Sequence, residues 1–264
     1  NDSPLVRFVL VHGGFHAAWC WERTIDELRS LGHDGVAVDL PGHGALVDQE
    51  STLANRRDAI LAAMDTGDGT TSVLVGHSGG GFDATLAAAG RPDLVSHVVY
   101  VAAALPREGR TYPEAMAMRD SDDELGQEFD GDVGEMLSYL KFDDDGAMWF
   151  ADFTGAWKYF YHDCDEATAR WAFERLGPER FGDTTVTPVS VPSFWEADLP
   201  RSFIRCLQDR SMPQWLADTV TRRLGVEQLT IDTSHSPFLS RPRELAELLL
   251  HATTTTPIAP LSPH

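Results

Sequence analysis

The stretch that most restricts what this chain can become is Val73-Leu74-Val75-Gly76-His77-Ser78-Gly79-Gly80-Gly81. An apolar run of strand type ends at a serine with glycines two residues before and two after it, and a helix-compatible segment follows. This is the Gly-x-Ser-x-Gly arrangement of a nucleophile elbow in strand-turn-helix context. A serine at the tip of so sharp a turn carries a strained backbone, and flanking side chains would strike the strand and helix packed beside it. Gly76 and Gly80 remove those side chains. An ordinary Gly-rich loop fits the same letters, so the motif needs partners elsewhere in the chain.

The rest of the pattern supplies a setting for it. Phe8 to Val11 is a continuous apolar run of the kind buried on both faces of a parallel sheet, and it leads into His12-Gly13-Gly14-Phe15-His16. Glycines there let backbone N–H groups turn toward a common point. Trp21, Ile25 and Leu28 predict a helix over 19–31, Gly35 to Asp39 a second strand, and Leu53, Ile60, Leu61 and Met64 a second helix. Ser72 to Val75, the Ala-rich 82–89 and Val98 to Ala102 continue as strand, helix and strand. That alternation argues for a parallel α/β sheet.

From about Pro106 to Pro192 acidic clusters (Asp120 to Glu124, Asp143 to Asp145) alternate with aromatics. Trp157, Phe160, Tyr161 and Cys164 fall on one helix face, and Asp163 with Glu166 resembles a capping box opening a helix with Trp171 and Leu176 inside. The acidic runs read as solvated faces. The core then resumes with a strand over 201–207, a helix marked by Trp215, Leu216, Val220 and Leu224, a last strand over 226–231 and a helix over 242–251. The expected organisation is a core over 1–105, a mainly helical cap over 106–192, the second part of the core over 193–252, and a frayed tail over 253–264.

Totals exclude several classes of partner. The 264 residues carry 41 Asp+Glu against 21 Lys+Arg, a net charge of −20, which disfavours phosphate backbones and anionic membrane surfaces. Cys20, Cys164 and Cys206 are far apart and odd in number, which argues against a disulfide framework or zinc site and suits a reducing cytoplasm. No apolar run approaches the ~20 residues of a membrane-spanning helix. The opening Asn-Asp-Ser-Pro lacks the regions of a signal peptide.

A serine hydroxyl needs a base, and the base works best when a carboxylate fixes its tautomer. Among ten histidines, His235 stands after the last core strand, at the carboxyl edge where sites of open parallel sheets form. His12, His16 and His77 lie beside motifs but serve less well. Asp209, at the end of the strand over 201–207, is the candidate acid, with Asp198 and Asp232 as competitors. The order Ser78, Asp209, His235 is that of an α/β-hydrolase triad.

With these residues, the chain resembles the α/β-hydrolase superfamily, and within it the branch of plant methylesterases, hydroxynitrile lyases and bacterial esterases. The resemblance is carried by Phe8 to Trp21, Asp39-Leu40-Pro41-Gly42-His43-Gly44, Gly76 to Gly81 and Ser234-His235-Ser236-Pro237, with Phe160 to Cys164 similar to the bacterial esterases. It implies an α/β-hydrolase fold, a mostly parallel sheet of about six strands flanked by helices with an inserted helical cap. It also implies that backbone N–H groups of Gly14 and Gly79 hold the oxyanion and that Phe15 adjoins the acyl pocket. With Phe15, the candidate substrate-binding residues are His16, Trp149, Phe153, Trp157 and Phe238. The expected substrate is a carboxylic ester or lactone of a small apolar or aromatic molecule, with no metal or organic cofactor and with homodimerisation open. The lyases carry Thr where Gly13 stands and Lys where Ser236 stands, so those positions favour hydrolysis. Competing readings are a non-hydrolytic enzyme on the same fold and a ligand receptor with little turnover.

Overall fold

Six parallel strands run β1 (Arg7–Val11), β2 (Asp34–Val38), β3 (Ser72–His77), β4 (Val95–Val101), β7 (Arg201–Cys206) and β8 (Gln228–Ile231), arranged in the order β2-β1-β3-β4-β7-β8. The computed structural model describes residues 4–118 and 132–264. Because every pairing in this sheet is parallel, all six carboxyl ends share one edge. Val73, Leu74 and Val75 of β3 are buried on both faces, which is why the central strands read as unbroken apolar runs.

Three helices flank the first half of the sheet: α1 (Glu22–Ser30), α2 (Leu53–Met64) and α3 (Gly80–Gly90). Thr52 caps α2 by accepting from Asn55 N–H while the Asn55 side chain accepts from Thr52 N–H, a reciprocal capping box. Helix α3 is buried along nearly its whole length, and Ala84, Ala87 and Ala88 let it lie close against the strands.

The insertion between β4 and β7 is less purely helical than its sequence suggests. A hairpin of β5 (Leu140–Phe142) and β6 (Met148–Phe150) stands among its helices. Its turn is the acidic run Asp143 to Gly146: Asp143 N–H donates to Ala147 C=O and Asp145 Oδ1 accepts from Ala147 N–H. Asp143 to Asp145 are solvated as expected, but they also form a turn. The cluster Asp120 to Glu124 lies outside the described residues.

Two expectations for the insertion need correction. Trp157 to Tyr161 form a π-turn after the short helix Phe153–Ala156, so the period of the buried face lengthens. Phe160 and Tyr161 are buried while Trp157 is 39% exposed and Cys164 falls beyond the turn. The next helix, Glu166–Phe173, is capped by Asp165 rather than Asp163, and Leu176 lies past its end. Asp163 is used elsewhere, as described below.

The tail over 253–264 is also not frayed. Ile258 and Ala259 N–H donate to Gly225 C=O, Ser262 N–H to Arg223 C=O, and Pro263 C=O accepts from Glu108 N–H. Arg201 adds a guanidinium bond to Ala259 C=O. Backbone bonds attach this segment, and Leu261 packs against the core; the polar composition gave little sign of either. The three cysteines are unbonded. Among the described residues no helix is long and apolar enough to cross a membrane.

Candidate active site

Strand β3 delivers Ser78 to the carboxyl edge in a backbone conformation with φ +53°, left-handed and unusual for a residue with a side chain. The turn is over-determined around it. Ser78 N–H donates to Val101 C=O, and its own C=O accepts from Gly81 N–H at 3.1 Å and Ala104 N–H at 2.9 Å. A Cβ at Gly76 would lie 2.7 Å from Gly81 Cα, and one at Gly80 would lie 2.5 Å from His12 C=O. The glycines of the motif are therefore spaces occupied by neighbouring backbone.

The loops after β7 and β8 bring the other two members of the constellation together. Asp209 Oδ2 accepts from His235 Nδ1 at 2.7 Å. Asp209 Oδ1 is held by Ser211 and Met212 N–H at 2.7 and 2.8 Å, so the carboxylate is aimed by its own turn. The competing acids are engaged elsewhere: Asp232 accepts from Gln208 and Asp198 pairs with Arg201. With Nδ1 donating to Asp209, His235 Nε2 is left as the basic nitrogen. His77 Nε2 donates to His235 C=O at 2.7 Å, and the Phe160 ring stacks on the His235 ring at 5.7 Å.

The histidines beside the motifs are structural. His12 Nδ1 donates to Gly13 C=O and its Nε2 accepts from Leu40 N–H. His16 Nδ1 donates to Gly14 C=O and its Nε2 accepts from Tyr161 hydroxyl. Burial pushes His12 and His77 well below the usual imidazole range and His16 down to about 4, so all three are neutral posts for the loop. Phe15, at φ +65°, is gripped at both backbone groups by the insertion: its N–H donates to Glu179 Oε2 and its C=O accepts from Gly177 N–H, each at 2.9 Å.

Ser78 and His235 line one cavity of about 190 Å³ together with Gly14 and Gly79. Phe15 and His16 line it as well. The other four predicted binding residues do not. Phe238 is fully buried beneath His16 and His77. Trp149 bonds Asp143 in the hairpin, Phe153 packs on Phe173, and Trp157 faces outward. Aromatic content alone did not distinguish the core of the insertion from the cavity wall. The apolar wall is instead Phe82, Met116, Phe160, Phe181 and Met212, together with Tyr112, whose hydroxyl burial pushes up to about 12.

Sequence reasoning missed a set of buried charges at this cavity. Arg56 Nη2 donates to Asp83 Oδ2 at 2.8 Å, and His43 Nε2 donates to Glu179 Oε2 at 2.8 Å. Burial opposes the charge on each cation, but the neighbouring carboxylates outweigh it and hold both protonated above their usual ranges. The one available signal was Asp83, a carboxylate within an otherwise small and apolar helix. Glu179 gives no signal at all, because it reaches the site through tertiary structure. Among the described residues no group of side chains suits a metal ion.

The profile of the alpha/beta hydrolase family matches residues 8–248. The chain is 40% identical to a protein named Esterase PIR7B of Oryza sativa subsp. japonica over 137 residues, which is 45% of this chain and only half of the rice protein. It is 28% identical to Methylesterase 7 of Arabidopsis thaliana over 253 residues, 92% of this chain and 95% of that one. The crystal structure of polyneuridine aldehyde esterase superposes with a TM-score of 0.78 at 23% identity, covering 94% of this chain and 99% of that one, a likeness of fold. The chain belongs to the alpha/beta hydrolase family.

Proposed function

We propose that this protein hydrolyses a carboxylic ester of a small, largely apolar molecule through an acyl-enzyme on Ser78. The observation that carries this reading is the 2.7 Å bond between His235 Nδ1 and Asp209 Oδ2, beside a cavity that His235 shares with Ser78, Gly14 and Gly79. The similarity to proteins named esterase and methylesterase supports the same class.

In this mechanism Ser78 Oγ attacks the ester carbonyl while His235 Nε2 takes its proton, and Asp209 stabilises the imidazolium. The N–H groups of Gly14 and Gly79 bind the oxygen that becomes negative. Collapse of the tetrahedral intermediate breaks the bond to the alkoxy oxygen, which leaves as the alcohol with the proton from His235. Water, deprotonated by the same nitrogen, then releases the acid and restores Ser78.

A C–C lyase reading finds less support. The resemblance places Thr at position 13 in the lyases, and here a Cβ at Gly13 would lie 2.9 Å from Ser78 Cβ. Offering an ester and a cyanohydrin in ¹⁸O-water separates the two: hydrolysis of the ester puts ¹⁸O into the acid product, and cleavage of the cyanohydrin with no turnover of the ester contradicts it. The unbonded cysteines support a cytoplasmic location.

A further inference from the structure

The cavity is lined in part by a buried ion pair of which the hydrolase mechanism makes no use. Arg56 from α2 and Asp83 from α3 both line the cavity that holds Ser78. Asp83 lies one helical turn beyond the elbow, because α3 begins at Gly80. Arg56 is 9% exposed and Asp83 2%. A guanidinium carries five N–H donors. Among the described residues Arg56 uses one of them, from Nη2 to Asp83, and its Nε is sealed in protein with no partner. What Arg56 offers the cavity is therefore its outer Nη groups.

A buried ion pair of this kind is a poor stabilising device, since well-packed hydrophobic residues of similar volume do as well or better. The sealed Nε is out of a ligand's reach, but an acceptor on a ligand takes a charge-assisted hydrogen bond from the outer Nη groups. The chemistry of that acceptor is limited by its surroundings. Asp83 and Glu179 both line the same cavity, so a carboxylate on the ligand meets two carboxylates. A neutral oxygen avoids that repulsion and still accepts from Arg56.

The geometry points to Arg56 and Asp83 as a recognition subsite for a neutral oxygen acceptor, a carbonyl or hydroxyl, carried by the ester substrate at a distance from its scissile bond. This rests on the hydrolase reading for the word ester, and on nothing in that reading for the subsite. The substrate class is then an apolar or aromatic ester with one further uncharged oxygen function, not a plain hydrocarbon ester and not a half-ester of a diacid.

The test uses methyl arylacetates bearing, at the meta or para position, an acetyl group, its apolar isostere isopropyl, or a carboxylate. Their dissociation constants are measured by calorimetry on the Ser78→Ala protein, so that binding is read without turnover. The acetyl ester is expected to bind about 10- to 100-fold tighter than the isopropyl ester, the span of a hydrogen bond to a charged group, and tighter than the carboxylate. In Arg56→Met/Asp83→Leu, which replaces both charges with apolar groups, the acetyl preference is expected to fall to about 1. Arg56→Lys, which keeps a cation and loses the fork, serves if the double variant does not fold, and its preference is expected to drop several-fold. Equal or tighter binding of the isopropyl ester, tightest binding of the carboxylate, or a preference that survives these substitutions overturns the proposal. Failure of the hydrolase reading looks different: Ser78→Ala then turns over esters at the wild-type rate, whatever the binding ratio.

Discussion

The two oxygens of Asp209 are not interchangeable. Oδ1 is fixed by the N–H groups of Ser211 and Met212, which leaves only Oδ2 for His235. In Asp209→Asn the single amide oxygen is claimed by those two N–H donors, and the NH₂ group turns toward His235 Nδ1. The imidazole then accepts at Nδ1 and carries its proton on Nε2, so it no longer serves as a base. We expect kcat for an activated ester to fall about 10⁴-fold while the thermal midpoint moves little; a fall below tenfold contradicts the assignment. Gly80→Ala is expected to act on folding instead, because its Cβ would lie 2.5 Å from His12 C=O. A cost of about 1–3 kcal/mol, read from a urea midpoint, checks it.

At the residue scale the sequence is most legible where chemistry demands a particular letter. Ser78, with Gly76 and Gly80 around it, is readable because only glycine fits the space. Asp209 and His235 are readable because they follow strands that end on one edge. Arg56 and Glu179 are not readable, since each looks like an ordinary charged residue until the fold brings them to Asp83, whose place in a small and apolar helix is the one signal. Phe238 misled for the opposite reason: it stands three residues after His235, yet its ring points beneath the site.

At the scale of elements, the insertion does more than cover the cavity. It holds the three loops that carry Gly14, Asp209 and His235. Glu179 binds Phe15 N–H beside Gly14, Asp163 accepts from Ser234 N–H beside His235, and His162 donates to Gln208 C=O beside Asp209. Asp163 therefore braces the base instead of capping a helix. None of these three links follows a local pattern, which is why the sequence suggests helices here and not struts.

The His43–Glu179 pair gives this bracing a pH signature. His43 is held above its ordinary 6.5: burial opposes this, and the hydrogen bond and charge of Glu179 outweigh burial. Its contribution to stability is complete below about pH 6.5 and is lost as pH rises through the raised folded value. Glu179 is held below its ordinary 4.5, since His43, Arg56 and Phe15 N–H outweigh burial. Its contribution is complete above about pH 4.5 and is lost as pH falls through the lowered folded value. Glu179→Gln is thus expected to cost about 1–3 kcal/mol between pH 5 and 6.5, with the gap to the wild type narrowing by pH 9. Urea denaturation at pH 6 and pH 9 measures it, and a gap that widens with pH contradicts the pairing.

On the scale of the whole molecule, alternation of apolar runs and helical spacings was enough to specify a parallel sheet, because both faces of its central strands are buried. Attachment of the tail was not legible. Its backbone bonds to Gly225, Arg223 and Glu108 depend on where distant loops end. Removing residues 253–264 is expected to cost about 2 kcal/mol and to lower the thermal midpoint by about 4–8 °C, measured by calorimetry; an unchanged midpoint contradicts a docked tail.

In the proposed reaction Ser78 carries the acyl group. An acid quench during steady turnover of p-nitrophenyl butyrate, followed by peptide mass mapping, tests that directly. The account predicts a mass increase of one butyryl group on the peptide containing Ser78, absent in Ser78→Ala together with turnover. Hydrolysis that continues in Ser78→Ala, or an acyl group found on another residue, would contradict it.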